Sequence, residues 1–348
     1  MMESRHAQRK NEHLSLAAKY YDQVHQHHYF DQVRLIHDSL PEMTTDEVDL
    51  HVQLADNLEI ECPFYIEAMT GGSDQALKIN QQLAQLAHKH HLAMATGSLS
   101  IISKDPQSFS SFEIIREENP DGIIFANLSA NASLDQAINA ISLLKANALE
   151  LHINAAQELI MPEGDRDFNW LDNIQYLVSE LEVPVIVKEV GFGMSKTTIA
   201  KLQTHDVHLI NVSGRGGTNF AAIENRRNHD INFESLLDWG QTTPESLLEA
   251  HSIRRGKTEI IASGGITSPL DVIKAGVLGA RAVGVAGYFL NILQNEGYEA
   301  LDQTLGEWRV IVKRLLALLG CSSFTELSRV EYVLGTDLLS YARQRHLR

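Results

Sequence analysis

A lysine stands inside an otherwise apolar, β-branched run, Val185-Ile186-Val187-Lys188-Glu189. An ammonium ion in such a strand is costly unless something negative faces it. Glu189 cannot be that partner, because neighbours along a strand point to opposite faces. The run therefore predicts that Lys188 donates a charge-assisted hydrogen bond, worth roughly 1.5–3 kcal/mol, to a bound anionic ligand. A second cluster, His152-Ile153-Asn154-Ala155-Ala156-Gln157-Glu158, places His152 and Asn154 on one strand face and Gln157 and Glu158 in the loop after the strand. Glycine-rich turns supply the third ingredient: Ser213-Gly214-Arg215-Gly216-Gly217-Thr218-Asn219, Ser263-Gly264-Gly265-Ile266-Thr267 and Gly284-Val285-Ala286-Gly287. Main-chain N–H groups without side chains in the way, at the start of a helix, suit a phosphate. Ala68-Met69-Thr70-Gly71-Gly72 has the small residues that let a flat ring approach the backbone.

The elements that must position these groups repeat from about residue 64: a short apolar run, Gly/Ser/Asn punctuation, then a longer helical pattern. Eight strands are expected at 64–68, 92–96, 122–127, 149–154, 184–189, 208–212, 259–262 and 282–285. Connections of ten or more helical residues make neighbouring strands parallel. The fold class is α/β, a (β/α)8 barrel, in which active sites lie at the C-terminal ends of the strands and phosphate binds after the last two. Ser268 and Ser73 are expected helix N-caps, the first followed by Pro269 with Asp271 near the positive helix end. Residues 1–60 read as a helical extension contributing to the substrate site, and residues 61–348 as the barrel with its C-terminal helices, one amphipathic run spanning 290–319.

Composition narrows the partners. The formal charge of −16 repels polyanions, which argues against nucleic acid and anionic membrane and requires local cations for any anionic substrate. Arg5, Arg9 and Lys10 are the candidates. No run reaches the roughly 18 apolar residues of a membrane span, and the opening residues lack the apolar core of a signal peptide, so a cytoplasmic protein is expected. Cys62 and Cys321 form neither a disulfide framework nor a metal spacing. The clusters His25-Gln26-His27-His28 and His88-Lys89-His90-His91 lack the spacing of a catalytic zinc site and are assigned no role. No nucleophile elbow, Walker loop or dinucleotide fingerprint follows a strand.

Taken in order, Arg9-Lys10-Asn11-Glu12-His13-Leu14, Val33-Arg34-Leu35-Ile36-His37, Leu40-Pro41-Glu42, Met69-Thr70-Gly71-Gly72, Gln157-Glu158, Lys188-Glu189-Val190-Gly191-Phe192-Gly193 and Gly214-Arg215-Gly216-Gly217-Thr218 resemble the type 2 isopentenyl diphosphate isomerases from about residue 9 to 287. The resemblance implies FMN, reduced by NADPH, and Mg2+, with a prenyl diphosphate as substrate and a homo-oligomer, tetramer or octamer, as the assembly. It implies that Ala68, Met69, Thr70, Ser98, Asn127, Lys188, Ser213, Thr218, Gly265, Ile266, Thr267, Ala286 and Gly287 hold the flavin, so that Lys188 faces the reduced ring. Arg9, Lys10, Ser98, Ser100, His152 and Gln157 would meet substrate, Glu158 would bind Mg2+, and His152, Gln157 and Lys188 would be catalytic. The chain shows no evident pair of mouth carboxylates, so the flavin is expected to carry the proton. Many members have Gly-Ser-Gln-Arg where this chain has Gly97-Ser98-Leu99-Ser100, and Gly-Gly-Ile-Arg where it has Gly264-Gly265-Ile266-Thr267. Trp239-Gly240-Gln241-Thr242 likewise replaces the usual Trp-Gly-Ile-Pro. Two rival functions are compatible with the same barrel: an FMN-dependent 2-hydroxy acid oxidase or dehydrogenase, which wants a histidine base and an arginine near strand seven, and a non-catalytic flavin-binding assembly protein.

Overall fold

Short β-branched runs alternate with capped amphipathic helices along most of the chain, and the computed structural model closes them into a barrel; it describes residues 5–24, 28–253, 256 and 258–347. Residues 25–27 of the first histidine cluster, and the side chain of Arg5, lie outside the described residues. The strands in chain order are β1 (Val33–Leu35), β2 (Val52–Ala55), β3 (Leu58–Ile60), β4 (Phe64–Ile66), β5 (Met94–Ser98), β6 (Ile124–Ser129), β7 (Ala148–Ile153), β8 (Val185–Glu189), β9 (Leu209–Asn211), β10 (Glu259–Ser263), β11 (Ala282–Val285) and β12 (Tyr332–Leu334). β4 to β11 form a closed parallel barrel in sequential order, β11 pairing back onto β4 through Val283–Phe64 and Gly284–Tyr65. All eight expected strands are present, displaced at their ends by a residue or two. β1 pairs with β12 and β2 with β3 in two small antiparallel sheets that the barrel pattern does not contain.

The helices are α1 (Arg5–Val24), α2 (Asp74–His90), α3 (Ser110–Glu118), α4 (Leu134–Leu144), α5 (Ala155–Ile160), α6 (Leu171–Glu180), α7 (Lys196–Gln203), α8 (Phe220–Arg227), α9 (Thr243–His251), α10 (Pro269–Val277), α11 (Gly287–Asn295), α12 (Tyr298–Leu318) and α13 (Thr336–Gln344). Ser73 and Ser268 cap α2 and α10 as their hydroxyls accept from the Ala76 and Asp271 amides. The amphipathic run expected over 290–319 is two helices, α11 and α12, separated at Gly297, whose φ of +100° is left-handed backbone that favours glycine. Leu83, Leu86 and Ala87 of α2 are buried against the barrel, whereas His90 in the last turn of the same helix pairs with Asp302 at 2.7 Å. Lys89 bonds the same carboxylate at 2.6 Å and His91 ends α2 in left-handed backbone, so this histidine cluster is a helix terminus tied to α12.

One apolar core runs from Leu14 in α1, through the outward faces of the strands, to Ala342 in α13. Burial of a Leu or Phe in such a core contributes about 1.5–3 kcal/mol relative to exposure, and Phe64, Phe125, Leu83 and Phe289 are wholly inaccessible. The extension and the C-terminal helices are part of that core and hold α1 across the C-terminal mouth of the barrel, where it contacts α2, α8 and α11.

Candidate active site

The C-terminal ends of the strands surround a cavity of about 790 Å³. Its size suits a cofactor and a small substrate together, since ligand pockets commonly measure roughly 300–1,000 Å³. Residues from the loops of all eight strands and from α1 line it, and every proposed site residue except Thr267 is among them. Thr267 has its amide and hydroxyl committed to the Asp271 carboxylate, at 3.0 and 3.2 Å, and so completes the start of α10 instead of facing the cavity.

Lys188 lies at the floor. Its Nζ donates to Glu67 Oε1 at 2.6 Å and to Glu150 Oε2 at 3.2 Å, and all three side chains are buried. The negative partner that the strand demanded, expected in a bound ligand, is therefore supplied by the protein itself, from β7 and from the loop after β4. Sequence reading missed both carboxylates because Glu67 and Glu150 are far apart in the chain, and only barrel closure points them at one ammonium. Burial disfavours the Lys188 cation, but Glu150 and Glu67 outweigh it and hold its pKa above the usual lysine value. Burial and repulsion from Glu67 push Glu150 up to about 7, while Lys188 overcomes burial at Glu67 and holds that carboxyl below its usual range. Glu67 also accepts from the Tyr65 hydroxyl at 3.0 Å and from Asn211 Nδ2 at 2.7 Å, so the floor is one hydrogen-bonded network.

At one wall His152 Nδ1 lies 3.0 Å from Asn127 Oδ1. Burial, then the charges of Lys188 and Lys10, lower its pKa to about 3, which keeps the imidazole neutral. Across the mouth, α1 presents Arg9 and Lys10, and Asn11 accepts from the Ser73 hydroxyl at 2.7 Å to join α1 to the cap of α2. Lys10 is lowered to about 8 by burial and by Arg9 beside it, so its charge is available at neutral pH. Arg9 stands 3.5 Å from Glu163. Gln157, in α5, donates to Glu224 Oε1 at 2.9 Å, and the same buried carboxylate meets His13 at 3.0 Å and Arg227 at 2.5 Å. Burial raises the Glu224 pKa, yet those partners more than reverse it, to about 2. Glu224 and His13 are site residues that sequence reading did not single out; a glutamate within Ala222-Ile223-Glu224-Asn225 reads as an exposed helix face until the fold buries it.

Glu158 stands at the rim with Oε1 accepting from Asn154 Nδ2 at 2.9 Å and Oε2 from the Asp165 amide at 2.7 Å. Each oxygen keeps a lone pair, enough for a magnesium ion that takes one carboxylate plus substrate oxygens and waters. On the opposite side the loops after β9 and β10 meet backbone to backbone, a Cβ on Gly217 falling 3.1 Å from the Gly265 nitrogen. At Gly287, the first residue of α11, a Cβ would meet only the Thr218 hydroxyl at 3.6 Å and the Tyr21 ring at 3.9 Å. The first helical bond of α11 comes from the Leu290 amide, and the N–H groups ahead of it have no partner within the helix. Bare main chain at a helix start, with the buried Thr70 hydroxyl unpartnered across the cavity, fits a phosphorylated flat cofactor. Arg215 points away: it bonds Asp238 at 2.8 Å and the Tyr29 hydroxyl at 3.2 Å, anchoring the glycine loop from behind.

Residues 112–333 match the family of FMN-dependent dehydrogenases. Among solved structures, mandelate oxidase bound to (S)-2-phenylpropionate superposes with a TM-score of 0.66 at 17% identity, covering 95% of this chain and 97% of that one. Flavocytochrome b2 with sulfite gives 0.69 at 18%, over 96% and 84%; at such identities the likeness is one of fold. Full-length similarity is closer to the isopentenyl-diphosphate delta-isomerases. That of Limosilactobacillus reuteri subsp. reuteri (strain JCM 1112) is 99% identical over 100% of both chains. The protein of that name from Latilactobacillus sakei subsp. sakei (strain 23K) is 48% identical over 97% of this chain and 96% of its own. Its Staphylococcus aureus (strain Newman) counterpart is 41% identical over 100% and 99%. With that identity sustained from end to end on an FMN-dependent barrel, the chain belongs to the type 2, FMN-dependent isopentenyl-diphosphate delta-isomerases.

Proposed function

We propose that this chain interconverts isopentenyl and dimethylallyl diphosphate with reduced FMN, Mg2+ and, as reductant, NADPH. The observation that carries the reading is a single cavity in which a phosphate cradle at the β10 and β11 ends faces a cationic α1 across a lysine floor. Of the proposed flavin residues, Gly265, Ile266, Ala286, Gly287, Ser213 and Thr218 would hold the phosphate end, while Ala68, Met69, Thr70, Ser98, Asn127 and Lys188 would frame the ring. Thr267 supports that cradle through Asp271. Bound reduced FMN would supply an electron-rich ring beneath the alkene and a ring nitrogen able to exchange a proton.

The protein's own part is capture and orientation. Arg9, Lys10, Ser98 and Ser100 would bind the diphosphate, with Glu158 sharing a Mg2+ ion with its oxygens. Gln157, fixed by its bond to Glu224, would position the allylic carbon, and His152 would bound the other side of the site. Glu224 is buried and ionised beside Gln157, so a proton released there has an acceptor one hydrogen bond away. Closure of α1 over the mouth excludes water from a cation-like centre.

The reading extends to a cytoplasmic homo-oligomer of four or eight subunits, with neither nucleic acid nor membrane as partner. Among the described residues no helix is long and apolar enough to cross a membrane, and Val310, Ile311 and Leu318 leave an apolar stripe on α12 that supports assembly. Light scattering measures the subunit number. The test of function is the visible spectrum of the purified protein, then turnover of isopentenyl diphosphate under anaerobic conditions with FMN, Mg2+ and NADPH. A colourless protein that takes up no FMN, or turnover of a 2-hydroxy acid in place of the prenyl diphosphate, overturns the reading.

A further inference from the structure

We propose that Glu150 and Asn127 are positioning residues that hold His152 in one tautomer, with its proton on Nδ1 and the Nε2 lone pair left to the cavity. Lys188 sets the direction of every bond between them, because its ammonium has donors and no acceptor. Lys188 donates to Glu150 Oε2 at 3.2 Å, a contact that favours the ionised carboxylate. In the ionised carboxylate both oxygens only accept, and with Oε1 unpartnered among the described residues Oε2 takes a hydrogen from Asn127 as well as from Lys188. The side-chain nitrogen of Asn127 therefore faces Oε2, at 3.1 Å. An amide has one oxygen, and its orientation is now settled, so Oδ1 faces His152 Nδ1 at 3.0 Å and takes a hydrogen from it. A neutral imidazole has a single proton, and Asn127 Oδ1 is the side-chain acceptor that meets it at Nδ1, with the Leu128 backbone also acting on the ring as an acceptor.

This sets what His152 offers a ligand. A bare Nε2 complements an ammonium or N–H group, such as Lys10, whose charge already reaches the ring. It does not complement a diphosphate oxygen, which brings only lone pairs. His152 thus serves the site as an acceptor, and the diphosphate is left to Arg9, Lys10 and the serines.

The orientation rests on the hydrogen-bond chain alone and stands apart from the substrate proposed for the site. It is tested by long-range ¹H–¹⁵N correlation on FMN-loaded protein labelled at histidine, with His152 assigned from the signals lost in His152→Gln. The expected result is a protonated Nδ1 and an unprotonated Nε2. Glu150→Gln, which can still present an acceptor oxygen to both Lys188 and Asn127, should keep that signature, while Glu150→Leu should lose it, both nitrogens moving to shifts averaged between tautomers. A protonated Nε2 in the unaltered protein, a changed tautomer in Glu150→Gln, or an unchanged one in Glu150→Leu overturns the proposal. Where Glu150→Leu fails to fold, the unaltered protein and Glu150→Gln decide it.

Discussion

Lys188, Glu67 and Glu150 share one buried charge problem, and removing any member exposes it. Lys188→Ala leaves two carboxylates facing each other without a cation, and breaking a buried pair in this way costs about 3–5 kcal/mol. Urea denaturation of the FMN-free protein should register that loss, and Lys188→Ala/Glu67→Gln should recover part of it. Glu224 makes a prediction with a sign. Its folded pKa, about 2, lies below the ordinary carboxylate value of 4.5, so its contribution to stability is complete above pH 4.5 and disappears as pH falls through about 2. A shift of that size is on the order of 3 kcal/mol, and Glu224→Gln should therefore flatten the acid limb of stability against pH in that window. On the proposed reading Lys10 holds the diphosphate, and since it loses its charge above about pH 8, kcat/KM for the diphosphate should fall as pH rises past that point in the free enzyme. Arg9→Ala should lower kcat/KM by roughly ten- to a hundredfold, the worth of one charged hydrogen bond, without changing the flavin spectrum.

At the scale of elements, two glycines separate the needs of the fold from those of the ligand. Gly264 has φ +91°, and a Cβ there would collide with the Gly214 carbonyl oxygen, so Gly264→Ala strains the turn after β10 and should lower stability and FMN content together. Gly287 has no positive φ, and a Cβ there would make only ordinary van der Waals contacts with described residues. Gly287→Ala should melt like the unaltered protein in its FMN-free form but bind FMN at least roughly tenfold more weakly, about 1.4 kcal/mol, read by fluorescence quenching titration. These turns were legible in sequence because glycine in series marks backbone that must stay bare. Thr267 follows the glycines and reads as part of the cradle, and its amide and hydroxyl are held by Asp271 of the helix capped at Ser268.

Across the whole molecule, a chain carrying −16 needs local cations to act on a diphosphate, and α1 holds Arg9 and Lys10 over the mouth, above a floor where Lys188 meets its own carboxylates. Binding of FMN to the folded state alone should raise the melting temperature with FMN concentration, by about 2.7 kcal/mol of added stability at a hundredfold excess over Kd. Sequence by itself determined the eight parallel strands, the capped helices and the bare glycine turns, because periodicity, cap residues and glycine act over a few neighbouring residues. Only the tertiary structure decided that Glu67 and Glu150 meet Lys188, that Glu224 holds Gln157, and that the expected 290–319 run divides at Gly297. The physical reason is that these buried polar groups find their partners on other strands and helices, at sequence separations of 121 and 38 residues for Lys188 and 67 for Gln157, where no local pattern reaches.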